Sequence, residues 1–313
     1  MKFRYIMIAV VVVVLSCTEA DIVHKNWVKM STNTSDNLYG LFFRNDTDGW
    51  AVSSDGNVLK TTDGGNSWDS QNLGNMSLEA VYFTDKKHGF IVGSHGALFR
   101  TKDEGSTWAD MSLDPDYWFY DIAFWDDDNG ILAGAKDEGD GNLVGALFST
   151  EDGGDTWQNV YNDLGGISDI HLRKPGLGWL TSTGAVGSTT DAGENWDINV
   201  LNDEDVVQGA YFLTGQTGWI VGNNGLLAFT TDGGWSWQRK GQLTHVNLYS
   251  IAFSSAYDGL AVGENGKIFL TTNTGVSWAV DSNFTKSTLR DIEVVDGSVW
   301  ICGDDGTIVS VSD

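Results

Sequence analysis

Tryptophan returns along this chain at a nearly fixed step. Trp27, Trp68, Trp108, Trp157, Trp196, Trp237 and Trp278 are separated by 41, 40, 49, 39, 41 and 41 residues. Six of them close an octapeptide, which reads TTDGGNSW at Thr61–Trp68 and TKDEGSTW at Thr101–Trp108, with relatives ending at Trp157, Trp196, Trp237 and Trp278. A period near 41 residues, repeated in register, is the sequence signature of a β-propeller, one supersecondary unit per blade. Within a period, runs such as Leu248–Phe253, Asp258–Gly263 and Gly266–Leu270 are short, aliphatic or aromatic, and bounded by Gly, Asn and Asp. They read as strands and turns. Each blade is expected to hold four antiparallel strands, a innermost and d outermost, with the octapeptide joining c to d.

The octapeptide has a physical logic. An Asp carboxylate can accept backbone N–H groups just ahead of it and so close a tight turn. The glycine two residues later (Gly65, Gly105, Gly154, Gly193, Gly234, Gly275) supplies a positive φ that a side chain opposes. The indole opens the next strand and is large enough to wedge between blades. The pattern [Ser/Thr]-x-Asp-x-Gly-x-x-Trp resembles the Asp-box, or BNR repeat, and its aspartates read as structural. Blade six carries Asn273 in place of the Asp.

The ends of the chain fix the count. The last repeat, Leu289–Val294, Val299–Gly303 and Gly306–Ser310, reaches Asp313 with neither octapeptide nor fourth strand. Trp27 has no octapeptide before it but keeps the 41-residue step. Residues near 24–31 are therefore expected to form strand d of blade seven, sealing the ring and removing open sheet edges. The expectation is an all-β, seven-bladed propeller over residues 24–313. The one long period, in blade three, is explained by an insert at Lys136–Asn142 in the b–c connection.

The first residues look like targeting. Lys2 and Arg4 precede an apolar run, Tyr5–Leu15, that is short for a bilayer span. Val14-Leu-Ser-Cys17 resembles a bacterial lipobox, which implies a signal peptide over 1–16, lipidation at Cys17 and a tether over 17–23. The expected location is the cell envelope, lipid-anchored on the outer side of the cytoplasmic membrane or in the outer membrane. A plain secretory cleavage near Ala20 is the competing reading and would make the protein secreted. The second cysteine, Cys302, falls in an apolar strand and reads as a core thiol.

Eighteen Lys and Arg face 43 Asp and Glu, a net charge of −25. A field of that sign repels phosphate backbones, so nucleic acid is not an expected partner. The five His are far apart, and no Gly-rich phosphate loop, metal-spaced His/Cys cluster or Ser-His-Asp set occurs; no cofactor, metal or catalytic residue is assigned. The acidic insert around Asp137, Glu138 and Asp140 does not match a Ca²⁺ loop.

Strand a should line the central channel. Its second position reads Tyr39, Glu79, Tyr120, Ser168, Gln208, Tyr249 and Arg290 through the seven blades; its third reads Gly40, Ala80, Asp121, Asp169, Gly209, Ser250 and Asp291. Of these, Tyr39, Glu79, Tyr120, Asp121, Asp169, Tyr249, Arg290 and Asp291 are candidate binding residues at the channel mouth. A second candidate is the aromatic run entering blade three, where Tyr117 and Trp118 read as a partner surface.

Lipobox, short tether and Thr-Thr-Asp-Gly-Gly-x-Ser-Trp boxes together resemble the Ycf48/Hcf136 family of photosystem II assembly factors. The blade strings Gly218–Leu227 and Asp258–Leu270 carry that resemblance, which covers essentially residues 17–313. It implies a non-catalytic, membrane-tethered scaffold that binds a protein client. Photosynthetic members carry an arginine cluster on one face; here Arg44, Arg100, Arg173, Arg239 and Arg290 fall on different blades and strand positions. Asp-boxes also occur in sialidases and xyloglucanases, so a carbohydrate-binding or glycoside-hydrolysing protein is the alternative. Sialidases need three convergent arginines and a Phe-Arg-Ile-Pro motif, against which this chain offers only Phe42-Phe-Arg-Asn45. Glycoside hydrolysis needs two carboxyls about 5–10 Å apart, and Asp121 with Asp169, on adjacent blades, is the pair to consider.

Overall fold

The computed structural model describes residues 25–139, 143–161, 164–173, 176–202, 205–241, 243–281 and 285–311. Their strands form seven four-stranded antiparallel sheets, each in the order a–b–c–d. Blade one, for example, is Leu38–Phe43, Gly49–Ser53, Asn57–Thr61 and Asp69–Asn72. Among the described residues helix is limited to two 3₁₀ turns, Asn223–Gly225 and Glu264–Gly266. The chain is an all-β, seven-bladed propeller.

The ring closes as the repeat count requires. Blade seven is ordered Val28–Lys29, Thr307–Val311, Ser298–Gly303, Leu289–Val295, so its outer strand comes from the opposite end of the chain. Val28 lies opposite Ser310 and Lys29 opposite Val309. Trp27 packs on the core shared by blades six and seven, and its indole donates to the Asp281 carboxylate at 3.0 Å. The closing strand is two residues long, shorter than the 24–31 expected, and His24 lies outside the described residues.

The boxes work through three groups. In blade one Thr61 Oγ1 donates to Asp63 Oδ1 at 2.8 Å and accepts the Gly65 amide at 2.9 Å. Asp63 then takes the Ser67 amide at 2.9 Å and its hydroxyl at 2.6 Å. The opening threonine, not only the aspartate, therefore closes the turn, and Asn273 does the same in blade six. These bonds favour the ionised carboxylate and hold Asp152 and Asp232 down at about 2.

Between blades the core is an aromatic sandwich. A strand-b tryptophan stacks on the next blade's strand-a phenylalanine, Trp50 on Phe83 at 3.9 Å, Trp179 on Phe212 at 3.7 Å and Trp300 on Phe43 at 3.9 Å, while Trp219 meets Phe253 tilted at 4.2 Å. The box tryptophan meets the same ring edge-on, as Trp68 meets Phe43 at 6.0 Å. Stacked and edge-on pairs of this kind suit the ring quadrupoles. The glycine that opens strand b is required by the same packing, since a Cβ at Gly49 would sit 2.5 Å from the Phe43 ring. Cys302 is wholly buried in this core. The insert of blade three lengthens strands b and c to Gly130–Asp137 and Leu143–Thr150, and Asp140 lies outside the described residues.

Candidate functional site

The seven inner strands enclose a cavity of about 1020 Å³. A β-bulge shapes it. In every blade the pairing of strand a with strand b skips the second residue, between Leu38 and Gly40, Leu78 and Ala80, Phe119 and Asp121, and so on round the ring. A bulge puts two residues opposite one and re-aims a side chain. Second- and third-position residues therefore line the cavity together, as Tyr39 with Gly40, Glu79 with Ala80, Tyr120 with Asp121, Ser168 with Asp169, Tyr249 with Ser250 and Arg290 with Asp291.

The second-position ring lies at the end of the channel where the d–a and b–c connections emerge. Arg290 is its centre. Its guanidinium stands 4.7 Å from the Tyr39 ring centroid and 5.5 Å from that of Tyr249, while Asp304 of the b–c turn takes its Nε at 2.5 Å. The Tyr249 hydroxyl donates to Glu264 at 3.3 Å. On blade two, next to Tyr39, Glu79 accepts the Ser77 hydroxyl at 2.6 Å, and burial raises its pKa against that bond and the Arg290 charge. Tyr120 is raised by burial and by Glu79.

The aromatic run of blade three divides. Trp118 lines the mouth and is 42% exposed, with His95 beside it. Tyr117 instead stacks on Phe119 and meets Phe148 edge-on, so it belongs to the packing of blades two and three.

One layer deeper, the third-position acids tie blades together. Asp121 accepts the amide of Ile170 in blade four at 2.8 Å, Asp169 that of Ala210 in blade five at 2.9 Å, and Asp291 that of Leu41 in blade one at 2.9 Å. Asp121 and Asp291 also take the amide of their own following residue. Desolvation at the channel wall pushes Asp121 up to about 7, with Asp291 adding repulsion, and Asp291 itself to about 6. Asp169 is also raised well above the ordinary carboxylate range, by burial and by the Asp121 charge. A fifth-position layer, Phe42, Tyr82, His171, Tyr211 and Glu293, completes the lining, and the sequence reading missed it. Burial drops His171 to about 4, which keeps it neutral, and pushes Glu293 well up.

The arginines do not converge. Arg44 pairs with Asp48, Arg100 with Asp155, Arg239 with Asp205 and Arg290 with Asp304, in turns and strands of four different blades. Arg173 donates to the Phe212 carbonyl at 2.9 Å. Among the described residues no grouping of His, Cys, Asp and Glu could hold a metal ion, and no helix is long and apolar enough to cross a membrane.

The family model described as "Photosynthesis system II assembly factor YCF48" matches residues 19–117 and 164–242, more than half of the chain. The protein belongs to the YCF48 family. No curated protein matches it in sequence. Among solved structures it is similar to a YCF48 bound to a D1 peptide, with TM-score 0.77 and 19% identity over 94% of this chain and 97% of that one. It is similar also to YCF48 from Cyanidioschyzon merolae, with TM-score 0.75 and 17% identity over 91% and 98%. An ancestral GH74 enzyme shares the fold at TM-score 0.72 and 17% identity, over 90% of this chain and 45% of that one.

Proposed function

We propose that this YCF48-family propeller is a membrane-tethered assembly factor that holds a protein client at the channel mouth, without catalysing a reaction. The observation that carries the reading is the mouth itself. Tyr39, Tyr249 and Arg290 form a fixed stack, and exposed Trp118 stands on the same rim. Preorganised aromatic and arginine side chains at the edge of a concavity are the usual anchors of a protein interface. A YCF48 of the same fold has been solved with a D1 peptide, which supports a polypeptide as the class of client. The tether is the lipidated Cys17, and the location the cell envelope.

Affinity capture by the lipidated chain, compared with its Trp118→Ala and Tyr249→Ala variants, tests the reading. A polypeptide retained by the parent and lost from both variants supports it; equal retention by all three contradicts it. Cys17→Ala should abolish acylation and leave an uncleaved precursor or a soluble chain. An unchanged mass and membrane fraction would remove the tether.

A glycoside hydrolase is the second reading, favoured by one observation: Asp121 and Asp169 are neighbouring carboxyls whose pKa values are both raised, as a general acid requires. Against it, both oxygens of Asp121 accept backbone amides. Turnover of sialosides or β-glucans that Asp121→Asn and Asp169→Asn abolish would replace the scaffold reading.

A further inference from the structure

The opposite face of the ring, formed by the boxes and the a–b turns, is uneven. The sixth box position is polar in blades one to four, as Asn66, Ser106, Asp155 and Glu194. In blades five and six it is Trp235 and Val276, which are 65% and 60% exposed. The a–b turn of blade six adds Tyr257, 65% exposed, and the two turns are joined where the Thr274 amide donates to the Tyr257 carbonyl at 2.9 Å. Exposed large apolar side chains gathered on adjacent elements mark an interaction surface more often than chance placement does.

The same sector receives the chain's N-terminal part. In blade four Asn199, three residues after the box tryptophan, donates to the Gly234 and Trp235 carbonyls in the box of blade five. Asp281 holds the equivalent place in blade six, and it accepts the Lys25 amide at 3.1 Å and the Trp27 indole. Lys25 therefore occupies, in blade seven, the site that a box occupies elsewhere. Apolar residues on blades five and six and the chain entry on blade seven lie on three consecutive blades of one face.

Charge points the same way. The a–b turn of blade three carries Asp126, Asp127 and Asp128, whereas that of blade five, Thr214–Thr217, carries no charged side chain. A molecule of net charge −25 meets a lipid surface most easily through such a sector. Seven residues separate Cys17 from Lys25, and the eight Cα–Cα steps span at most about 28 Å. An acylated Cys17 would keep this face within reach of the headgroups, where Trp and Tyr partition favourably.

We infer that the box face at blades five and six docks on the lipid bilayer, with Trp235, Tyr257 and Val276 in its interfacial zone and the channel mouth facing away. This rests on the tether at Cys17 proposed above. The orientation leaves the mouth open to a client rising from the membrane's surroundings, not from beneath the ring.

The fluorescence of the protein supplies a test. Of its fourteen tryptophans, Trp118 and Trp235 are the exposed ones, and they sit on opposite faces. The lipidated chain is reconstituted in phosphatidylcholine vesicles carrying brominated acyl chains, floated, and its emission compared with Trp235→Phe and Trp118→Phe. The expected result is a quenched component that Trp235→Phe removes and Trp118→Phe leaves intact. A chain that floats with the vesicles and shows no quenching overturns the docking but keeps the tether. Quenching removed only by Trp118→Phe reverses the orientation and overturns the proposal. A chain absent from the vesicle fraction overturns the tether, and the docking falls with it.

Discussion

Trp27→Ala measures how much the closing strand holds the ring together. The side chain is partly buried on the core of blades six and seven and donates to the Asp281 carboxylate. Truncating a fully buried tryptophan costs about 3–5 kcal/mol, so a partly buried one costs about 2. A hydrogen bond to a charged acceptor adds about 1.5 kcal/mol. The sum is about 3.5 kcal/mol. With an unfolding entropy of about 2.1 cal/mol/K per residue, a 313-residue chain loses about 1.5 °C of Tm per kcal/mol. The expected shift is thus about 5 °C downward by calorimetry. Exposed Trp235→Ala should stay within about 1 °C, as surface substitutions do. Asp281→Ala should be non-additive with Trp27→Ala, because the two share a bond. A Tm for Trp27→Ala within about 1 °C of the parent would refute closure through this strand.

Stability should depend on pH from both sides. Asp121 and Asp291 have folded pKa values of about 7 and about 6, above the ordinary 3.8, so their contribution is full below about pH 4 and is lost as pH rises through 6–7. The box carboxylates, held near 2 at Asp152 and Asp232, act oppositely: their contribution is present above 3.8 and lost as pH falls toward 2. The Tm should peak near pH 4, and Asp121→Asn should flatten the fall between about pH 4 and 7; a Tm that rises steadily from pH 4 to 7 contradicts this. Gly49→Ala places a Cβ 2.5 Å from Phe43 and should cost about 1–3 kcal/mol by denaturant unfolding; an unchanged midpoint would show that the Phe43–Trp300 sandwich can yield.

Much of this was legible in the residues. Seven tryptophans and six boxes fix the blade count, and the missing box before Trp27 fixes where the ring closes, because a repeat architecture leaves few ways to satisfy a sheet edge. The channel was legible only in part. Alternation along a strand sends neighbours to opposite faces, so Tyr120 and Asp121 cannot both line a cavity unless a bulge intervenes. Two adjacent polar residues on an inner strand were the signal for it. The inter-blade role of Asp121, Asp169 and Asp291 was hidden for a different reason: their partners are backbone amides of the next blade, and amides leave no trace in sequence. The division of Tyr117 from Trp118 likewise depends on how strand a of blade three meets its neighbours. Glu293 and His171 went unread because the fifth position is aromatic or Ala in the other five blades.

The most direct test of the account is site-specific photocrosslinking in intact envelopes, with a photoreactive amino acid at position 118 on the channel mouth or at position 235 on the box face. The expected result is a polypeptide adduct from position 118 and none from position 235. Polypeptide adducts from position 235 with none from position 118 would contradict the channel mouth as the client site.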